Sequence, residues 1–179
     1  MRGNDWSGSG RERATRIDSL GSIADMLGVE RFRLEGWDAT SARLFANDCA
    51  SIVYRQHLPD LTESAQDLLY RLLNQARRLI IADRDGELEG IERALLAGLE
   101  ASTAINRSVW LVALNSILPD PVRAATTSTE AALLAFGQGP NPRRDAVIDT
   151  LSRRLMSRAE EASLLGGSPK LREFRVAVA

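Results

Sequence analysis

The sequence has few of the residues that most often carry reactive chemistry. Its 179 residues include one cysteine, Cys49, and one histidine, His57. A single cysteine cannot form an intramolecular disulfide, and these two residues cannot supply the three or four Cys and His ligands typical of a zinc site. They also cannot supply the two Glu-x-x-His motifs of a di-iron bundle. We therefore expect no disulfide, no metal and no cofactor.

Cys49 and His57 are also poorly placed to work together. They lie eight residues apart within RLFANDCASIVYRQHL, a segment with helical character. At 100° per residue the two side chains would lie about 80° apart around the helix and about 12 Å apart along it. The chain contains neither a Gly-x-Ser-x-Gly elbow nor a phosphate-binding loop. We therefore assign no catalytic residue and predict that the protein is not an enzyme.

Long apolar runs are missing as well. The longest, VWLVAL at residues 109–114, is far shorter than the roughly 20 residues of a membrane span. The polar N-terminus lacks the apolar stretch of a signal peptide, and a net charge of −1 offers no overall field for nucleic acid or an acidic membrane. We expect a soluble, cytoplasmic protein.

One acidic turn resembles the start of a calcium-binding loop. ADRDGELEG places Asp83, Asp85 and Glu87 at alternate positions. Gly86 comes too early for the glycine of such a loop, however, and the twelfth residue, Ala94, is not a carboxylate. A solvated turn is the better interpretation.

Apolar residues recur at helical spacing along most of the chain. The clearest case is TESAQDLLYRLLNQARRLIIAD, residues 62–83, where the 3, 4 rhythm persists for more than four turns. The pattern predicts an all-α fold, an irregular or orthogonal bundle of six to seven helices in a single domain over residues 17–166. It also predicts a flexible arm at 1–16 and an extended tail at 167–179. SVWLVALNSIL, residues 108–118, is apolar on every side and is expected to be the central helix.

Charge is unevenly distributed along the chain. Residues 60–100 are net acidic, whereas residues 143–179 are net basic. Two candidate surfaces follow from this distribution. One is an acidic surface for a protein partner, and it comprises Glu87, Glu89, Glu92 and Glu100. The other is an Arg-rich surface for nucleic acid, and it comprises Arg143, Arg144, Arg153, Arg154 and Arg158.

The segment from Arg43 to Ala104 resembles a family of all-helical bacterial immunity proteins of polymorphic toxin systems. The typical opening of that family, Arg-Leu-aromatic-Ala-x-Asp-Cys-Ala, is matched by Arg43, Leu44, Phe45, Ala46, Asp48, Cys49 and Ala50. The chain lacks the histidines of the later helices in that family. The resemblance implies a module that binds and neutralises a toxin, but it identifies no binding residue.

We therefore expect a non-catalytic helical module that binds another protein, of which a toxin is one example. The alternative is a nucleic-acid-associated protein that uses the Arg-rich C-terminal helix. The Leu-rich helices leave homo-oligomerisation open, because the apolar pattern does not separate core from interface.

Overall fold

The computed structural model describes residues 21–29, 37–104, 106–137 and 139–166. These residues form seven helical segments and no strand, which confirms the predicted all-α bundle of six to seven helices. All seven fall within the predicted 17–166 domain, whereas the predicted arm at 1–16 and tail at 167–179 lie outside the described residues. The helices are α1 (21–27), α2 (Ala39–Gln56), α3 (Glu63–Ile81), α4 (Glu89–Ala101), α5 (Arg107–Asn115), α6 (Pro121–Leu134) and α7 (Pro142–Gly166).

Side-chain caps begin several of these helices. Thr62 and Asp120 each accept a hydrogen bond from a backbone N–H in the first turn of α3 and α6. The start of α2 differs from the prediction, which placed Thr40 or Ser41 at the cap. Asp38 caps this helix instead, and its carboxylate accepts from the N–H of Ser41 at 2.7 Å. Aspartate is among the strongest N-caps, so the helix begins earlier.

The central helix is α2 rather than α5. Every residue from Ser41 to Ala50 is buried, and α2 contacts α3, α5, α6 and α7. The prediction that residues 108–118 form a helix buried on every side is wrong, because Leu111 of α5 is 38% exposed. The buried polar residues Arg43, Asn47 and Asp48 concealed its central position, since each of them has a partner outside α2.

Apolar side chains from all the helices form one core around α2. Phe45 of α2 is fully buried and lies against Trp37, with ring centroids 5.4 Å apart. The inner face of α7 comprises Val147, Leu151 and Leu155, which are all fully buried. Packing on both sides holds α2 rigidly between its neighbours.

A segment of α4 that is rich in small residues allows a close helix contact. A Cβ atom added to Gly98 would lie 2.1 Å from Cζ3 of Trp110, a buried residue of α5. Only glycine leaves room for the indole ring at this position. The ring therefore fixes how α4 packs on α5.

Within the described part of the chain, no helix combines the length and the apolar character that crossing a bilayer would require.

Candidate functional site

A buried ionic cluster joins α2, α3 and α7 at Asp48. One oxygen of this carboxylate accepts from Nη1 of Arg77 at 2.9 Å, and the other accepts from Nε of Arg158 at 2.9 Å. Nη1 of Arg158 also donates to Glu161 at 2.9 Å. Asp48 and Arg158 are each 6% exposed, so this pair lies where water cannot screen it. Both Asp48 oxygens are occupied, and the cluster is suited to holding helices together.

A second buried cation holds α2 to two loops. The guanidinium of Arg43 donates to the backbone oxygen of Leu118 at 3.0 Å and to that of Pro119. Its Nε lies 2.6 Å from Oδ2 of Asp85, in the short 3₁₀ turn Asp85–Glu87. Arg43 and Asp48, two polar residues of the segment that resembles immunity proteins, are therefore engaged in internal contacts.

Cys49 is buried in the contact between α2 and α6. Its Sγ lies 3.8 Å from the hydroxyl of Thr129, and the residue has no exposed surface. Burial raises the pKa of the thiol well above its ordinary value, because the thiolate would lose its hydration. A thiol kept protonated in this way is a weak nucleophile at neutral pH.

His57 ends α2 and packs against a different neighbour. Its ring centroid lies 5.0 Å from that of Phe136, and its Nδ1 lies 3.3 Å from a carboxylate oxygen of Asp60. Cys49 and His57 thus have separate surroundings. Across the described ranges, no group of three or more His, Cys, Asp and Glu side chains is arranged to hold a metal ion.

The predicted acidic residues all lie exposed at or near α4. Glu87 forms an ion pair with Arg84 at 2.6 Å in the turn before the helix. The other three share one side of α4, with Leu96 between Glu92 and Glu100 at i, i+4 spacing. Leu96 is 40% exposed. We call this surface the α4 acidic face, and it comprises Glu89, Glu92, Leu96 and Glu100.

No ion pair between described residues involves Glu89, Glu92 or Glu100. These three carboxylates therefore differ from Glu87, which is held by Arg84.

The predicted Arg-rich surface is smaller than expected. Arg158 does not belong to it, because its side chain is buried and paired with Asp48 and Glu161. Arg153 is exposed but pairs with Asp149 at 2.6 Å. Arg143 and Arg154 are exposed and Arg144 is half-buried. The helical period of α7 turns Arg158 inward, and the charge count along the sequence could not show this.

One basic surface escaped the sequence analysis. The sides of α2 and α3 enclose a cleft of about 270 Å³ beside Tyr54, Arg55 and Tyr70. An open depression of about 540 Å³ continues from Tyr70 and Asn74 past two further arginines of α3. We call this surface the Tyr70 groove, and it comprises Tyr54, Arg55, Tyr70, Arg71, Asn74 and Arg78.

Comparison with known proteins identified no relative of this chain. No family model, no curated protein and no solved structure matches the chain. The similarity of residues 43–104 to immunity proteins therefore stays a prediction.

A sequence signal for the Tyr70 groove does exist. Tyr70, Asn74 and Arg78 follow at i, i+4 and i+8 on the polar side of α3. They lie within the segment whose net charge is negative, so a count over residues 60–100 conceals them. Sorting charges by helix face rather than by segment would have separated these residues from the acids of α4.

Proposed function

We propose that the protein is a non-catalytic helical module that binds a basic protein partner through the α4 acidic face. The observation that carries this proposal is the row Glu92, Leu96 and Glu100. An exposed apolar side chain lies between two carboxylates, neither of which forms an ion pair with a described residue. Such a row combines an apolar anchor with a charged rim, as protein interfaces do.

The surroundings of the candidate reactive residues support a binding role. Cys49 is buried with its pKa raised, and the ring of His57 packs on Phe136. Both oxygens of Asp48 are held by arginines. These side chains stabilise the bundle, whereas the carboxylates of α4 face solvent.

The chemistry of the surface defines its partner. Glu89, Glu92 and Glu100 attract a surface rich in Lys or Arg and speed the encounter, while burial of Leu96 slows dissociation. The resemblance at Arg43–Ala104 implies a toxin as that partner, and a basic nuclease toxin has the complementary charge. We therefore propose an immunity protein as the more specific form of this function.

The test is an affinity pull-down of the tagged full chain from its native lysate after nuclease treatment, followed by mass spectrometry. We expect one stoichiometric protein partner to be captured by the native chain. We expect the variant Glu89→Lys, Glu92→Lys and Glu100→Lys to lose it. Glu130→Lys, which reverses an exposed charge on α6, is the matched control and should keep it.

Two results would contradict this function. One is the capture of nucleic acid alone before nuclease treatment and of nothing afterwards. The other is an intrinsic enzymatic activity of the purified chain that the charge-reversed variant retains.

One observation supports the alternative that the protein binds nucleic acid through α7. Arg153 and Arg154 line an open depression of about 340 Å³ together with Thr150 and Ser157. If this surface binds nucleic acid, affinity should fall steeply with salt and be lost in Arg153→Glu with Arg154→Glu. Absence of binding at low salt would eliminate it.

A further inference from the structure

The Tyr70 groove combines cations with an uncovered aromatic ring. Tyr70 is 61% exposed, although it lies at mid-length on one of the longest helices. Arg71 and Arg78 lie on the same side of α3, separated by seven residues and thus by about 10 Å along the axis. Arg55 of α2 lines the cleft on the other side of Tyr70.

The three arginines of the groove differ from neighbouring arginines in their ionic partners. Neighbouring cations are paired, since Arg77 binds Asp48 and Arg84 binds Glu87. By contrast, no ion pair between described residues involves Arg55, Arg71 or Arg78.

The acid nearest these arginines on the polar side of α3 lies outside the groove lining. Nε of Arg71 donates to the backbone oxygen of Asp67 at 3.3 Å. The Asp67 carboxylate itself does not line the groove. The lining of the groove therefore contains three arginines and no acidic side chain, within an acidic segment of the chain.

The polar groups around the ring are partly fixed. Nδ2 of Asn74 donates to the backbone oxygen of Tyr70 at 2.8 Å, which leaves the Asn74 carbonyl oxygen as an acceptor. The hydroxyl of Tyr54 donates to the backbone oxygen of Gln66 at 3.2 Å. Fixed side chains lose little conformational entropy when a ligand binds.

We propose that the Tyr70 groove binds single-stranded nucleic acid. A base stacks on Tyr70, and the guanidinium groups of Arg55, Arg71 and Arg78 contact phosphates. Sequence-tolerant binders of single strands use this combination of a positive groove and an aromatic platform. An acidic peptide would use the arginines but would not need the exposed ring, so the observations favour a nucleic acid. This function is independent of the α4 acidic face.

The experiment is fluorescence anisotropy of the purified, nucleic-acid-free full chain with a labelled oligothymidylate. We expect Tyr70→Ala to weaken binding about five- to 100-fold through lost stacking, and Tyr70→Phe to retain it. With three phosphate contacts, affinity should fall about 20-fold between 50 and 200 mM salt. Arg71→Ala with Arg78→Ala should weaken binding and flatten that dependence. Circular dichroism would check that each variant stays folded.

Four outcomes would overturn the proposal. The first is the absence of binding at 50 mM salt. The second is equal affinity of the native chain and Tyr70→Ala. The third is loss of binding only in Arg153→Glu with Arg154→Glu, which would place the site on α7. The fourth is competition by polyglutamate as strong as that by unlabelled oligothymidylate, which would identify an acidic protein partner.

Discussion

At the scale of single residues, Asp48 has the largest structural consequence. The three longest described helices, α2, α3 and α7, meet at its carboxylate through Arg77 and Arg158. The sequence shows an aspartate at this position but not its partners, because Arg158 lies 110 residues away. Sequence analysis therefore assigned Arg158 to a solvent-exposed surface, and the structure corrects that assignment.

Removal of one partner from this buried pair should be costly. We expect Asp48→Ala to lower the free energy of unfolding by up to about 3–5 kcal/mol, because the buried Arg158 charge would lose Asp48 and keep only the more exposed Glu161 as its ionic partner. The double variant Asp48→Leu with Arg158→Met should lose less than the single variant, since no buried charge remains. Urea denaturation followed by circular dichroism measures both. Asp149→Ala, which breaks the exposed pair with Arg153, is the control and should cost less than about 1 kcal/mol.

If the double variant were less stable than Asp48→Ala, the cost of Asp48→Ala would not come from the buried Arg158 charge. The ion pair itself would then contribute net stability.

Cys49 makes stability depend on alkaline pH. Burial raises the pKa of the folded thiol, whereas the unfolded thiol ionises near its ordinary pKa of about 8.5. The contribution of Cys49 to the free energy of unfolding is therefore fully present at neutral pH, and it is lost as the pH rises above the pKa of the unfolded thiol. Between pH 8 and pH 10 the native chain should lose about 2 kcal/mol more than Cys49→Ala. Urea denaturation at each pH measures both chains. If their free energies of unfolding fell by the same amount between pH 8 and pH 10, Cys49 would not be the source of the pH dependence.

At the scale of helices, periodicity predicted the existence of the helices better than their burial. The rhythm of residues 62–83 located α3, which begins after its cap at Thr62. Apolar content alone ranked α5 above α2 as the central helix, which is wrong. Burial of α2 depends on polar residues such as Asn47, whose Nδ2 donates to the backbone oxygen of Leu73 at 3.2 Å. Such partners come from distant parts of the chain, and no local pattern reports them.

The contact between α4 and α5 offers a matched pair of glycine substitutions. Gly98→Ala places a Cβ into the ring of Trp110 and should destabilise the fold by about 1–3 kcal/mol. Gly90→Ala lies on the same helix with nothing within 4 Å of its new Cβ. It should be neutral or stabilise by up to about 1 kcal/mol, because alanine favours the helix. Thermal unfolding of the two variants measures the difference, and equal effects would contradict the close contact.

At the scale of the whole molecule, charge is arranged by helix face. Three of the predicted acidic residues, Glu89, Glu92 and Glu100, lie on exposed positions of α4, but the sequence analysis did not identify Leu96 among them. It missed the Tyr70 groove, because Arg71 and Arg78 share a segment with nine acidic residues. Only the helical period and the packing of α2 on α3 separate the acidic surface from the basic one.

The central claim is that the α4 acidic face contacts a protein, and carboxyl footprinting tests it most directly. The tagged chain would be labelled at exposed carboxylates both alone and in its nuclease-treated captured complex, and read by mass spectrometry. Labelling of Glu89, Glu92 and Glu100 should fall in the complex, while that of Glu130 stays unchanged. Unchanged labelling on α4, or failure to capture any protein at all, would contradict the claim.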